Sequence, residues 1–125
     1  MRICIYGAGA IGGYLGCMLS KTDAEISLIA RGPHLKAMQD HGLRLVMDGN
    51  ETVHQLNCTD QPESLAPQDY VIVTLKAHSV PRIVPQIKKL LAPDGAVVTA
   101  VNGVPWWYFY SLSGPLENTR LRSVD

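Results

Sequence analysis

The sequence RICIYGAGAIGGYLG, residues 2–16, predicts more about this chain than any other part of it. Residues 3–6 form a short apolar run of the kind that makes a buried β-strand. The glycines Gly7, Gly9 and Gly12 follow in the pattern G-x-G-x-x-G, and an apolar pattern of helical period comes next. The stretch therefore predicts a strand, a tight turn and the start of a helix.

Each glycine of the pattern has a separate physical role. Gly7 allows the tight turn, Gly9 lets a pyrophosphate approach the backbone, and Gly12 lets the helix lie close to the strand. The phosphates bind where free N–H groups and the positive end of the helix dipole meet. A second strand is predicted at residues 25–30, at the spacing of a β-α-β unit, which favours a dinucleotide site over a chance match.

The same stretch has some features of a secretory signal peptide, because Arg2 precedes apolar and small residues that continue to Ser20. Five glycines interrupt this segment, however, and the chain continues directly into the β-α-β pattern. We therefore favour the dinucleotide-binding interpretation.

Size and charge exclude several classes of function. The 125 residues suffice for one domain with a single core but are few for a complete two-domain enzyme. Eleven basic and eleven acidic residues cancel, so no global field attracts nucleic acid or an acidic membrane. No apolar run approaches the roughly 18 residues of a membrane span, and we expect a soluble protein.

The cysteines and histidines predict neither disulfides nor a metal site. Cys4, Cys17 and Cys58 are odd in number and form no C-x-x-C pair. They are typical of reduced, buried thiols in a cytoplasmic protein. The four histidines lack metal-ligand spacing, and no cysteine or carboxylate is clustered with them.

Arg31 follows the second strand at the position where dinucleotide-binding domains distinguish NAD from NADP. An acidic residue about 20 positions beyond the glycines binds the adenine ribose of NAD. Arginine instead offers a planar, charged fork to a 2′-phosphate. The position predicts NADP(H), and the alternative is a solvated arginine at a helix start.

Residues 33–56 predict a short helix followed by a β-hairpin. The helix ends before Gly42, a residue suited to a left-handed stop. Strands at 43–47 and 51–56 flank the sequence Asp48-Gly49-Asn50, and Asp-Gly is a strong hairpin signal.

The second half of the chain predicts two more strands of a parallel sheet. Residues 69–75 are the most β-branched stretch and predict a central strand buried on both faces, and 96–101 predict another buried strand. Between them, Ser79 is placed to cap a helix at 80–91, which Pro85 would kink or delay.

Polar residues follow these strands where a ligand would bind. In an open parallel sheet, ligands lie beyond the carboxyl ends of the strands. The glycine loop, Arg31, Lys76 and Asn102 all follow such ends. Taken alone, Lys76 is typical of a solvated lysine, and Asn102-Gly103 is typical of a turn. Because both residues lie with the glycine loop and Arg31 at one edge of the sheet, together they predict a ligand-binding site.

Four motifs resemble those of the ketopantoate reductases, also called 2-dehydropantoate 2-reductases. They are GAGAIG at 7–12, ARG at 30–32, VTLKAHSV at 73–80 and NGVPWW at 102–107, and the resemblance to the N-terminal domain of that family covers essentially the whole chain. It implies a Rossmann-like, doubly wound, mainly parallel α/β sheet with the β-hairpin as an elaboration. It also implies a cytoplasmic oxidoreductase of pantothenate biosynthesis that reduces a 2-oxo acid, 2-dehydropantoate or a close analogue, with NADPH.

The resemblance assigns residue roles as well. It implies that the glycine loop holds the pyrophosphate, that Arg31 and Lys76 serve the NADP end of the site, and that Asn102 lies where nicotinamide meets substrate. The full cofactor-binding set is Gly7, Ala8, Gly9, Ala10, Ile11, Gly12, Arg31, Lys76 and Asn102.

The family places its general-acid lysine and an acidic substrate-binding residue in a second, helical domain. We therefore expect residues 1–125 to be a dinucleotide-binding domain that is itself incomplete at its C-terminal end, with no catalytic residue and no turnover alone. The NGVPWW form at 102–107 differs from the type enzyme, which leaves the exact 2-oxo acid open.

The aromatic run at residues 106–110 has several interpretations: core, a membrane-interface belt, or a surface covered by the missing domain or a second subunit. We favour the covered surface. An alternative function is a non-catalytic NADP(H)-sensing module that acts on a partner through this surface. A further alternative, an NAD-dependent hydroxyacid dehydrogenase, is disfavoured by Arg31.

Overall fold

The computed structural model describes residues 1–123, which form a five-stranded parallel sheet, three helices and a separate two-stranded hairpin. Short 3-10 turns lie at Pro62–Ser64 and Ala77–Ser79. The strands and helices along the chain are β1 (Arg2–Tyr6), α1 (Ala10–Leu19), β2 (Glu25–Ile29), α2 (Gly32–His41), β3 (Leu43–Met47), β4 (Asn50–His54), β5 (Asn57–Thr59), β6 (Gln68–Val73), α3 (Val80–Leu90) and β7 (Leu91–Thr99).

The strand order of the large sheet is β5-β2-β1-β6-β7, and every neighbouring pair is parallel. The chain builds outward from β1 through β2 and β5, then returns to the other side of β1 with β6 and β7. The direction of winding therefore switches between β1 and β6. A crevice forms at such a switch point, beyond the carboxyl ends of the two strands.

Alternate residues of β1 face opposite sides of the sheet. Ile3 and Ile5 pack in a cluster with residues of α1 and α2, whereas Cys4 and Tyr6 pack in a second cluster with Ile87 and other residues of α3. Because helices cover opposite faces, the predicted Rossmann-like, doubly wound fold is confirmed.

All three cysteines are free and buried, as predicted. Burial raises the pKa of the Cys4 thiol from 9.0 to about 12, and it also raises the pKa values of Cys17 and Cys58. The thiols therefore stay protonated at neutral pH and pack as small apolar groups.

The predicted hairpin is confirmed, with a turn of two residues. Met47 pairs with Asn50, and the intervening Asp48 and Gly49 both have positive φ angles, 51° and 77°. This is the turn geometry that suits the twist of a hairpin. Nδ1 of His54 lies 3.0 Å from the hydroxyl of Ser20, which connects the hairpin to the end of α1.

Burial in β6 and β7 differs from the prediction. Val71 and Val73 are fully buried on the α3 side of β6, but Tyr70 on the other face is 41% exposed. The strand predicted at 96–101 is present as part of β7, but its predicted burial was wrong, because Val97 and Val98 are each 43% exposed. Among residues 1–123, β7 is an edge strand of the sheet. Tyr70 lies on the same face as Ile3, which packs with residues of α1 and α2, but Tyr70 itself belongs to neither buried cluster.

Three local features also differ. The short strand β5 was not predicted, because its three residues carry no apolar alternation. Ser79 precedes α3, but its side chain makes no capping hydrogen bond, and the helix runs from Val80 through Pro85.

No helix among the described residues has the length and apolar character that a membrane crossing requires.

Candidate functional site

The glycine loop leaves β1 at the switch point and is tied to the two neighbouring strands. Gly7 has a φ of +114°, which a residue with a side chain rarely adopts. Its N–H donates to the carbonyl of Ile29 at the end of β2, at 3.1 Å. Its carbonyl accepts a hydrogen bond from the Thr74 hydroxyl, just beyond β6, at 2.5 Å. The loop is therefore fixed by contacts on both sides.

The glycines Gly9 and Gly12 differ in what surrounds them. A Cβ at Gly12 would overlap the carbonyl oxygen of Gly7 and lie 2.6 Å from the Thr74 hydroxyl oxygen. A Cβ at Gly9 would meet no protein atom within 4 Å. Gly12 thus allows close packing of α1 on the loop, and Gly9 leaves open space at the N-terminus of α1.

His34, in the first turn of α2, makes a contact with the loop that the sequence did not predict. Its Nε2 lies 2.7 Å from the carbonyl oxygen of Ala8. Since a carbonyl only accepts, this nitrogen carries the proton and donates. The bond ties the loop to the helix that begins next to Arg31.

A cavity of about 850 Å³ lies along the loop. It brings Arg31 together with the glycine loop, as predicted. Other walls come from β3 of the hairpin and from α3. The lining residues are Tyr6, Gly7, Ala8, Gly9, Ala10, Gly13, Tyr14, Cys17, Ile29, Ala30, Arg31, His34, Leu43, Arg44, Leu45, Val46, Asp60, Leu75, Ser79, Arg82, Ile83 and Gln86.

Lys76 and Asn102 line a second cavity of about 570 Å³ rather than the first. Leu75 lines both cavities, so the two are neighbours. The glycine loop and α1 contribute to both, through Ala10 in the first and Ile11 in the second. The predicted site residues therefore follow one edge of the sheet but divide into two groups on either side of Leu75.

The charges at this edge are predominantly positive. Arg31 and Lys76 are exposed, and neither forms an ion pair with any residue among 1–123. The first turn of α1 contains no acidic residue, so the partial positive charge of its N–H groups is not compensated there. The edge is suited to a ligand with more than one anionic group.

No group of three or more histidine, cysteine, aspartate or glutamate side chains among residues 1–123 is placed to hold a metal ion. Trp106, Trp107, Tyr108 and Tyr110 are between 40% and 74% exposed, so the interpretation as core was wrong. The Arg120 guanidinium lies over the Trp106 ring, 4.5 Å from its centroid.

The parallel sheet, the switch point and the glycine loop that packs beneath α1 define a Rossmann-like α/β domain. The sequence model of the ketopantoate reductase PanE/ApbA family matches residues 3–105. The chain belongs to this family of oxidoreductases.

Relatives agree with this assignment. A 2-dehydropantoate 2-reductase of Mesorhizobium japonicum is 51% identical over the whole chain. A crystal structure of a candidate ketopantoate reductase from Ralstonia solanacearum MolK2 superposes with a TM-score of 0.88 at 45% identity over 99% of the chain. D-mandelate dehydrogenase with NADH and anilino(oxo)acetate superposes with a TM-score of 0.76 at 31% identity over 83% of the chain. The chain spans 39%, 38% and 34% of these three proteins, respectively.

Proposed function

We propose that this chain binds NADPH and forms the cofactor-binding part of an enzyme that reduces a 2-oxo acid, 2-dehydropantoate, to pantoate in pantothenate biosynthesis. The observation that carries the proposal is the open space at Gly9, in the same cavity as Arg31. Backbone that a phosphate can approach and a guanidinium free of ion pairs together suit a phosphorylated dinucleotide. Membership of a reductase family favours catalysis over a role in sensing alone.

The two cavities suggest how the dinucleotide lies. The pyrophosphate would take hydrogen bonds from loop N–H groups between Gly7 and Gly12, with the 2′-phosphate at Arg31 in the larger cavity. The nicotinamide end would pass over Ile11 into the second cavity, where Lys76 and Asn102 lie. This arrangement retains the roles that the family resemblance implies for the glycine loop, Arg31 and Asn102. It moves Lys76 from the NADP end to the nicotinamide end, and it gives Gly12 a packing role instead of a direct contact.

The cofactor, when bound, supplies the hydride for the 2-oxo group. The residues of this chain would bind and orient it. The Asn102 side chain offers both amide donors and a carbonyl acceptor, which suits a position between nicotinamide and substrate. We propose that the proton donor to the new hydroxyl comes from outside residues 1–125, so the chain alone would bind the cofactor without turnover.

Arg31 gives a direct test of the cofactor assignment. Arg31→Ala is expected to weaken NADPH binding about tenfold and to change NADH binding little, because only NADPH carries the 2′-phosphate. Fluorescence titration with each cofactor measures both constants. Lys36→Ala, on the exposed side of α2 and outside the cavity lining, is the matched control and should leave both unchanged. Equal losses for NADPH and NADH in Arg31→Ala would remove the argument for a phosphate at this residue.

A second candidate is an NADH-dependent reductase of a related 2-oxo acid. The observation that favours it is the similarity to D-mandelate dehydrogenase, whose structure contains NADH and anilino(oxo)acetate. Arg31 favours NADPH, because a guanidinium provides the charge that a 2′-phosphate requires. The same titrations distinguish the two candidates.

We further propose that the aromatic residues 106–110 are covered in the assembled enzyme, by more of the longer protein or by a second copy of the chain. Their exposure of 40–74% for four of the five residues supports a contact surface. A cytoplasmic location is proposed as well, since all three cysteines are free thiols.

A further inference from the structure

One wall of the larger cavity is a face of α3 together with Ser79 just before that helix, and of these residues only Ser79 belongs to a motif recognised in the sequence. Ser79, Arg82, Ile83 and Gln86 all line the cavity. Their spacing of three, four and seven positions places them along one side of a helix. The wall thus consists of consecutive turns of α3 that face the same space as Arg31 and the glycine loop.

This wall is fixed to the strand that precedes the loop. The Tyr6 hydroxyl donates a hydrogen bond to Oε1 of Gln86 at 2.5 Å. Burial raises the pKa of Tyr6, so the phenol stays protonated and able to donate. Ile83 packs against the cluster on the α3 side of the sheet, which adds an apolar contact. These contacts set the position of α3 relative to the end of β1.

The arginines of the cavity differ in their partners. Arg44, on β3, lies 3.3 Å from the Glu51 carboxylate. Arg31 and Arg82 form no ion pair with any residue among 1–123, and both are exposed. A single carboxylate, that of Asp60, lines the same cavity. Two arginines with no carboxylate partner therefore share a cavity with one acidic side chain.

We propose that Arg82 is a second specificity-determining residue for NADPH, and that it binds the 2′-phosphate together with Arg31. This inference rests on the proposed function. The pyrophosphate already has the N–H groups of the glycine loop and the N-terminus of α1, whereas a 2′-phosphate carries close to two negative charges and Arg31 supplies only one positive charge. A second guanidinium, on a long side chain from the α3 wall, completes the charge balance.

The test compares Arg82→Gln with Lys88→Gln in titrations with NADPH and NADH. Lys88 is exposed on the same helix but does not line the cavity, so its replacement removes the same charge elsewhere. Arg82→Gln is expected to weaken NADPH about tenfold and NADH less than about twofold. Lys88→Gln should change neither constant. The loss for NADPH should shrink as salt is added, since the interaction is between exposed charges.

Two further results would overturn the inference in distinguishable ways. If the unsubstituted chain binds NADPH but Arg82→Gln leaves the ratio of the NADPH and NADH constants unchanged, Arg82 does not act on the 2′-phosphate, and the proposed function stands. If the unsubstituted chain, folded by circular dichroism, binds neither cofactor, the proposed function and the inference fail together.

Discussion

Gly12→Ala is expected to destabilise the chain by about 3 kcal/mol or more and to lower its Tm by roughly 10 °C. The added methyl would overlap the Gly7 carbonyl oxygen and lie 2.6 Å from the Thr74 hydroxyl oxygen. Neither neighbour is the end of a flexible side chain, because the first is backbone and the second donates a hydrogen bond to that backbone. The overlap is relieved only if α1 moves away from the loop.

Such a movement would cost packing along the whole of α1. Gly16 lies against Leu28, where a Cβ would be 3.1 Å from that side chain, so α1 and β2 are already close. A domain of this size has only about 5–15 kcal/mol of net stability, and the loss is a large part of it. Urea unfolding of the unsubstituted chain and of Gly12→Ala measures this loss of stability. An unchanged midpoint for Gly12→Ala would contradict the close packing of loop and helix.

Gly9→Ala is expected to give the opposite pattern, with the fold retained and cofactor binding weakened about 100-fold. The backbone of Gly9 has φ −72° and ψ −168°, an extended conformation that alanine adopts, and no protein atom lies within 4 Å of the added methyl. The methyl would instead occupy the space that we assign to the pyrophosphate. Stability should fall by only about 1 kcal/mol, the cost of alanine in place of glycine at the N-cap of α1.

The two alanine variants serve as controls for each other. They add the same methyl group three residues apart in one loop. Gly12→Ala should change the unfolding midpoint, and Gly9→Ala should change the titration with NADPH and NADH alike. Undiminished binding of either cofactor by Gly9→Ala would show that no phosphate lies at this position.

Those parts of the fold that depend on local sequence were predictable. The glycine pattern between β1 and α1, the Asp48-Gly49 turn and the break at Gly42 each follow from backbone geometry that few other residues tolerate. Most predicted helix and strand limits agreed within two residues because the apolar periodicity there is strong, but β7 begins at Leu91, five residues earlier than predicted.

Features that depend on tertiary neighbours were not predictable. The β-branched composition of 96–101 indicates a strand, but whether that strand is buried depends on what pairs with it, and in residues 1–123 β7 is an edge. The short strand β5 exists because it pairs with β2, not because of its own sequence.

The residues of the candidate site also separate into those that local sequence predicts and those that depend on tertiary contacts. The glycine loop and Arg31 were predictable because their positions follow from the β-α-β unit. Contacts of Thr74 and His34 with loop carbonyls arise where distant segments meet, and so does the α3 wall with Arg82. Residue spacing therefore carried no signal for them. The family motif at 73–80 includes Thr74, and this was the one available indication of its importance.

Calorimetric titration of the folded chain with NADPH and, separately, with NADH tests the central claim most directly. We predict binding of both cofactors at one site, with NADPH tighter by about tenfold because of the 2′-phosphate at Arg31. NADH binding as tight as NADPH or tighter would contradict the assignment of an NADPH-dependent reductase, and a folded chain that binds neither cofactor would contradict the site itself.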